Sequence, residues 1–226
     1  MAKVKPEVEP EVKSGESKSK VVRVKVEGVY PILMNPMTEA TLDSLITGNR
    51  LPPTKDLAFE EVASRKIYRE GGEPDGAIGI PVENLCSCLV RAGREVKNGK
   101  KQISTAESTT LFSFLSIRGE FLPFTNDLTR HGDGKGWVVD KRRGCLHDKG
   151  KSTAVGILRP KFPVWAFEFV MDLDLTEIDE GVVRKLVEVA GKKVGLGDFR
   201  PTCKGPFGRF QVVSWEEAKK EVPAAA

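Results

Sequence analysis

The sequence predicts an α+β fold, and three observations lead there. Two stretches alternate apolar and polar residues with the period of two of a half-buried strand. In the first, Val22, Val24 and Val26 alternate with Arg23, Lys25 and Glu27; in the second, Trp165, Phe167, Phe169, Met171 and Leu173 alternate with Val164, Ala166, Glu168, Val170 and Asp172. Two other stretches repeat apolar residues at the spacing of an amphipathic helix, Val82, Leu85, Cys86, Leu89 and Val90 in one and Val182, Val183, Leu186, Val187 and Ala190 in the other. The patterns succeed one another as β-α-β-β-α-β, the split βαβ order of ferredoxin-like and RRM-type domains.

The bulk numbers fit such a domain with insertions. The chain has 226 residues, of which 39% are hydrophobic and 30% charged, a globular composition with a real core. A formal net charge of +4 does not by itself announce a nucleic-acid partner, so clustering of the cations has to carry that case. Cys86, Cys88, Cys145 and Cys203 have neither disulfide nor zinc spacing and read as reduced structural thiols. His131 and His147 are too few and too scattered for a metal site, and no cofactor motif is present. No apolar run reaches transmembrane length and the start has no signal pattern, so a cytoplasmic protein without a membrane partner is expected.

Taken in order, residues 1–20 mix Pro, Ser, Gly and alternating charge and cannot bury a core, which predicts a disordered tail. The single domain is expected over residues 21–215, with a second tail at 216–226. The first strand starts near Val22, carries a bulge at Gly28, and continues through the apolar run to Met34 before the turn Asn35-Pro36. Residues 37–80 are a long insertion holding a weak helix at 38–46, a second helix at 56–67 capped by Asp56, and a turn at Gly71-Gly-Glu-Pro-Asp-Gly76. Pro81 suits the first turn of a helix over residues 81–98, whose far end collects Arg91, Arg94, Lys97, Lys100 and Lys101. The helix dipole accounts for part of that cluster. The second strand is expected over 115–124.

Residues 125–161 form the second insertion and the most basic stretch, with Lys141, Arg142, Arg143, Arg159 and Lys161 among its cations. Trp137 to Arg143 and Val155 to Leu158 read as the arms of a hairpin. A protruding basic hairpin is a phosphate-contacting device; a solvated loop reads equally well. The third strand, rich in aromatic residues, is expected to be central, and the segment from Thr176 to Asp179 caps the second helix. The last strand covers 210–215.

Between the second helix and the last strand lies a run with Gly191, Gly195, Gly197, Gly205 and Gly208, the cations Lys192, Lys193, Arg200, Lys204 and Arg209, and the rings of Phe199, Phe207 and Phe210. Mobile backbone, cations and aromatic faces together suit a site that tracks a nucleic-acid backbone, whereas a glycine-closed helix-to-strand loop is the plain alternative.

Here the chain resembles the RAMP superfamily of CRISPR-associated proteins, and within it the single-RRM backbone subunits of the Cas7 type. Ile80-Pro81 to Leu85 corresponds to that family's segment opening the first helix, and Gly205-Pro-Phe-Gly-Arg209 to its glycine-rich segment before the last strand. The resemblance spans residues 21–215 through short motifs; the chain also looks like small phage and bacterial proteins of this kind, for which a CRISPR role need not follow. It implies a non-catalytic protein that binds single-stranded RNA or DNA and associates with itself in a filament or multi-subunit complex. The expected contacts are Arg91, Arg94, Lys141, Arg142, Arg143, Arg159, Lys161, Lys192, Lys193, Gly195, Gly197, Phe199, Arg200, Lys204, Gly205, Phe207, Gly208 and Arg209; Phe207, beside Pro206, reads equally well as core. RNA-cleaving members use an aspartate among glycines after the first strand; here that loop is Asn35-Pro-Met-Thr-Glu-Ala, with Asp43 later in a helical pattern, so no active site carries over.

Two other functions stay open. A structural assembly protein would use the insertions as arms between copies and need no nucleic acid. An endoribonuclease of RAMP type would use His131 and His147 as acid and base. Asp172 and Asp174 share a strand face and could hold a metal, though solvent-facing acids are the commoner case.

Overall fold

A computed structural model of the chain describes residues 18–37, 39–49, 56–148 and 150–218. The expected N-terminal tail falls outside them up to residue 17, and so does the C-terminal tail from residue 219. In chain order the elements are β1 (Ser19–Gly28), β2 (Ile32–Leu33), α1 (Glu39–Thr47), α2 (Phe59–Ser64), β3 (Gly79–Pro81), α3 (Val82–Ala92), β4 (Lys97–Asn98) and β5 (Lys101–Gln102). Next come α4 (Leu111–Phe114), β6 (Leu115–Ile117), β7 (Phe121–Pro123), β8 (Val138–Asp148), β9 (Lys151–Phe162), β10 (Ala166–Asp174), α5 (Glu180–Val189) and β11 (Phe210–Glu217).

The fold is mixed α+β with antiparallel sheets. The largest sheet runs β11-β1-β10-β6, so β1 and β10 are its inner strands. Their alternation explains that position. Val22, Val24 and Val26 of β1 and Phe167, Phe169, Met171 and Leu173 of β10 are buried. They join Leu85 and Leu89 of α3 and Val183, Leu186 and Val187 of α5 in one apolar cluster. Each such side chain contributes about 1.5–3 kcal/mol on burial, so the two strands and two helices hold one another in place. On the other face of the sheet, Arg118 donates from Nε and Nη2 to the two carboxylate oxygens of Asp172, both at 2.8 Å. Asp174 accepts the Thr176 amide and hydroxyl.

Several boundaries differ from the sequence expectation. β1 begins at Ser19 and ends at Gly28, before the apolar run is over. A Cβ at Gly28 would run into the Trp165 indole, whose Nε1 donates to the Tyr30 carbonyl at 2.8 Å. The chain leaves the sheet there, and β2 pairs instead with β9. The bulge expected at Gly28 falls between Lys25 and Val26, opposite β11. The strand expected over 115–124 is two strands: β6 pairs with β10 and β7 with β3, on either side of Gly119, which takes a φ of +83°. The helix expected over 81–98 stops at Ala92, and the Gly93 carbonyl accepts from Ser104 N–H at 3.1 Å; Val96 is still buried, outside the helix. Pro81 caps that helix from β3. The helix expected over 56–67 is the short α2, capped at Ala58 and not at Asp56.

The basic insertion is a hairpin with longer arms than expected. β8 and β9 pair without interruption from Val138 opposite Lys161 to Asp148 opposite Lys151, and with β2 they form a second sheet, ordered β2-β9-β8. β2 ties its base to the glycine-rich loop, where the Asp198 amide donates to the Leu33 carbonyl at 2.7 Å.

Candidate nucleic-acid interface

Along α3, Asn84, Ser87, Cys88 and Arg91 recur at helical spacing. They form a mostly polar stripe beside the apolar one that packs on the sheet. This stripe is one wall of a cleft of about 270 Å³. The opposite wall is the glycine-rich loop from Val194 to Asp198 with Arg200, and Asn35 and Tyr68 complete the lining.

The loop keeps its shape through a dense set of backbone bonds. After α5 the chain makes a π turn over Ala190–Val194, and Gly195 leaves it with a φ of +75°. π turns of this kind recur at functional sites. Leu196 N–H donates to the Gly208 carbonyl at 2.9 Å and Gly208 N–H to the Pro31 carbonyl at 2.8 Å. Gly197 needs to be glycine twice over: its φ is +72°, and a Cβ would strike the Leu33 carbonyl. The Gly197 N–H meets no protein acceptor among the described residues, while its carbonyl accepts from Arg200 Nη1 at 2.6 Å. Phe199 takes a φ of +48°, unusual for a bulky residue, and its ring packs on Phe207 with centroids 6.0 Å apart.

Cys88 sits at the cleft floor, and its thiol faces the Gly195 carbonyl at 3.4 Å. Burial pushes that thiol up to about 12, so it is not a nucleophile at neutral pH.

Beside the cleft lies a buried ionic cluster that the sequence did not announce. Arg159, 4% exposed, donates from Nη1 to Asp198 at 2.7 Å and from Nη2 to Asp140 at 3.1 Å. Arg142 donates from Nε to both oxygens of Asp140, at 2.8 and 2.9 Å. Its guanidinium also lies over the rings of Phe207 and Phe199, 4.7 and 5.6 Å from their centroids. Lys66 donates to the Leu158 carbonyl at 3.0 Å, and burial, with the nearby Arg159 charge, lowers its pKa. The cluster locks the base of the hairpin to the glycine-rich loop. It also neutralises Asp198, leaving Arg91 and Arg200 to set the sign of the cleft.

The expected contacts therefore divide. Arg91, Gly195, Gly197 and Arg200 line the cleft together. Lys192 and Lys204 are exposed on the flanks of the loop, while Lys193 is paired with Glu95. Arg94 is exposed just beyond α3, whereas Gly205 and Gly208 serve the packing of the loop itself. Arg209 stacks over Tyr30, 5.4 Å from the ring centroid. Lys161 is half-buried in β9. Lys141 lies over the Phe59 ring at 4.1 Å, and Arg143 is exposed on the hairpin. Two of the expected contacts lie away from the cleft surface: Arg159 is held inside the buried cluster, and Phe207 is buried against Phe199 and Arg142. Asn35, Tyr68, Asn84 and Ser87 also line the cleft and are not among the expected contacts, although the spacing of 84, 87, 88 and 91 is a readable signal.

The backbone places the two histidines toward opposite ends of the hairpin. His131 precedes the hairpin base, where its carbonyl accepts from Gly136 N–H, and His147 is near the tip, opposite Ser152. From Val138 to His147 a strand extends roughly 30 Å. Among the described residues no group of three or more His, Cys, Asp or Glu is arranged to hold a metal. No described helix is long and apolar enough to cross a membrane.

No family model matches the chain, and no curated protein does either. A similar solved structure is a chain of the Type III-B Cmr-beta complex bound to cognate target RNA. The identity is 15% and the TM-score 0.46. The match covers 89% of this chain and 61% of that one, so this chain spans less than two thirds of its length.

Proposed function

We propose that this protein is a non-catalytic binder of single-stranded RNA, of the Cas7-like kind its motifs resemble, whose copies sit side by side along the strand. The observation that carries the reading is the cleft itself, in which the polar stripe of α3 faces a glycine-rich backbone with Arg91 and Arg200 between them. Backbone amides, small polar side chains and cations are the donors that phosphate and sugar oxygens require. Under this reading the two segments carrying the resemblance bound one site, since α3 opens at Val82 directly after Ile80-Pro81 and the run from Gly205 to Arg209 bonds to the loop opposite. The sheet order β11-β1-β10-β6, with α3 and α5 as the crossing helices, supports a ferredoxin-like core for this site. Lys192, Arg94 and Lys204 extend its positive flank.

The test is fluorescence anisotropy of a labelled oligouridine across a salt series. Affinity is expected to fall with salt, and Arg91→Ala to weaken binding to all single-stranded sequences alike. With one phosphate fewer neutralised, the slope of log affinity against log salt should become shallower by about 0.7. An unchanged slope and affinity in Arg91→Ala would remove the cleft as the binding surface. The RNA should be recovered intact after incubation; cleavage would favour the endoribonuclease reading.

A further inference from the structure

Helix α1 does not behave like a finished part of this molecule. None of its described side chains belongs to the buried core, and it packs extensively against no other element among the described residues. Yet Leu42, Leu45 and Ile46, at i, i+3 and i+4, present one apolar face and are 49%, 66% and 74% exposed. Met37, just before the helix, is 61% exposed. A nine-residue helix is well below the length at which a helix is stable alone in water, so such a face calls for a partner.

A matching receptor exists on the same chain. On the face of the β8–β9 hairpin that meets α2, an open groove of about 560 Å³ runs between Phe59 and the strands. Gly156 lies opposite Arg143 in register, and a Cβ there would meet nothing within 4 Å, so its bare backbone deepens the floor. Ala154 and Leu158 flank it, Phe59 is 56% exposed, and Lys141 and Arg143 form the rim. The charges are complementary: α1 carries Glu39 and Asp43 with no cation, and the rim is cationic.

We propose that α1 of one copy docks in the hairpin groove of the next copy. Leu42, Leu45 and Ile46 enter the groove, and Asp43 faces Lys141 and Arg143. The contact is heterologous, so it repeats from copy to copy in an open chain or a ring and not in a closed two-fold dimer. It deepens the side-by-side arrangement and rests on that part of the proposed function alone; it needs no nucleic acid.

The experiment is sedimentation velocity of the full, nuclease-treated protein over a concentration series. Two surface variants accompany it, Leu45→Ser with Ile46→Ser, and Phe59→Ser with Arg143→Glu. The wild type is expected to form a concentration-dependent ladder of species, and each variant alone to stay monomeric. Mixed, the two variants still hold one intact helix and one intact groove, so they should form a one-to-one heterodimer and nothing larger. As an independent readout, Ile46→Cys in a Cys203→Ser background should form an intermolecular disulfide with the exposed Cys145 of the hairpin. A wild type that is monomeric throughout, a mixture that stays monomeric, or a disulfide formed within single dilute chains would each overturn the proposal. So would a groove variant that lost RNA binding while the self-association of the wild type was absent, since the groove would then belong to the nucleic acid. Loss of RNA binding in Arg91→Ala with the ladder intact would count against the proposed function and leave the docking of α1 standing.

Discussion

Arg159 offers the sharpest test of how this molecule uses its cations, because sequence and structure assign it different work. As a phosphate contact, its removal would weaken RNA binding and spare stability. As the centre of a buried cluster, its removal should do the reverse. Its side chain is 5% exposed, Asp140 is 7% and Asp198 34% exposed. Leaving a buried charge without its partner costs about 3–5 kcal/mol. Two features soften that here: Asp140 keeps both bonds from Arg142, and Asp198 can reach water. We therefore expect Arg159→Met to destabilise the fold by about 2–3 kcal/mol. For a domain of this size the melting temperature should fall by roughly 4–12 °C. Urea denaturation measures the change, and the double variant Arg159→Met with Asp140→Leu supplies the control. Replacing a whole buried pair by apolar side chains is often neutral. The double variant should therefore recover a large part of the stability, although Arg142 then has no carboxylate to bond. If Arg159→Met stays within about 0.5 kcal/mol of the wild type while RNA affinity drops, the buried-cluster reading is wrong.

Further outcomes follow from the same geometry. Gly197→Ala should cost more than about 1 kcal/mol, since alanine is strained at its positive φ and its methyl meets the Leu33 carbonyl; a wild-type denaturation midpoint would contradict that. Glu180 holds hydrogen bonds from Lys20 and Trp215, which lower its pKa below 4.5. Its contribution is present above that ordinary value and is lost as pH falls through the lowered folded value, so Glu180→Gln should flatten the stability profile on the acid side. Alkylation of the native protein at neutral pH should label the exposed Cys145 and Cys203 and spare Cys88 until the chain unfolds; mass spectrometry of the labelled peptides reads this directly.

The inner strands and the two helices beneath them are legible in the amino-acid sequence without any coordinates. Val22 to Val26 and Trp165 to Leu173 alternate strictly because one face of the sheet is buried, and α3 and α5 carry apolar stripes because that face needs covering. Periodicity survives in the sequence because each residue reports its own burial. The glycine-rich loop was legible for a similar reason, since positive φ at Gly195, Gly197 and Gly208 leaves a compositional mark. The polar stripe of Asn84, Ser87 and Arg91 could have been read in the same way.

Whatever depends on partners far apart in the chain waits for the folded molecule. Whether Arg159 meets a phosphate or a carboxylate turns on Asp198, 39 residues away, brought to it by the β2–β9 pairing. The end of β1 at Gly28 is set by Trp165, and the split between β6 and β7 by which partner each half finds. Lys141, Arg142, Arg143 and Arg159 look alike in sequence, but a hairpin's two faces and its docking on the loop give them separate surroundings. Charge says only that a side chain needs a partner; the fold determines which partner is within reach.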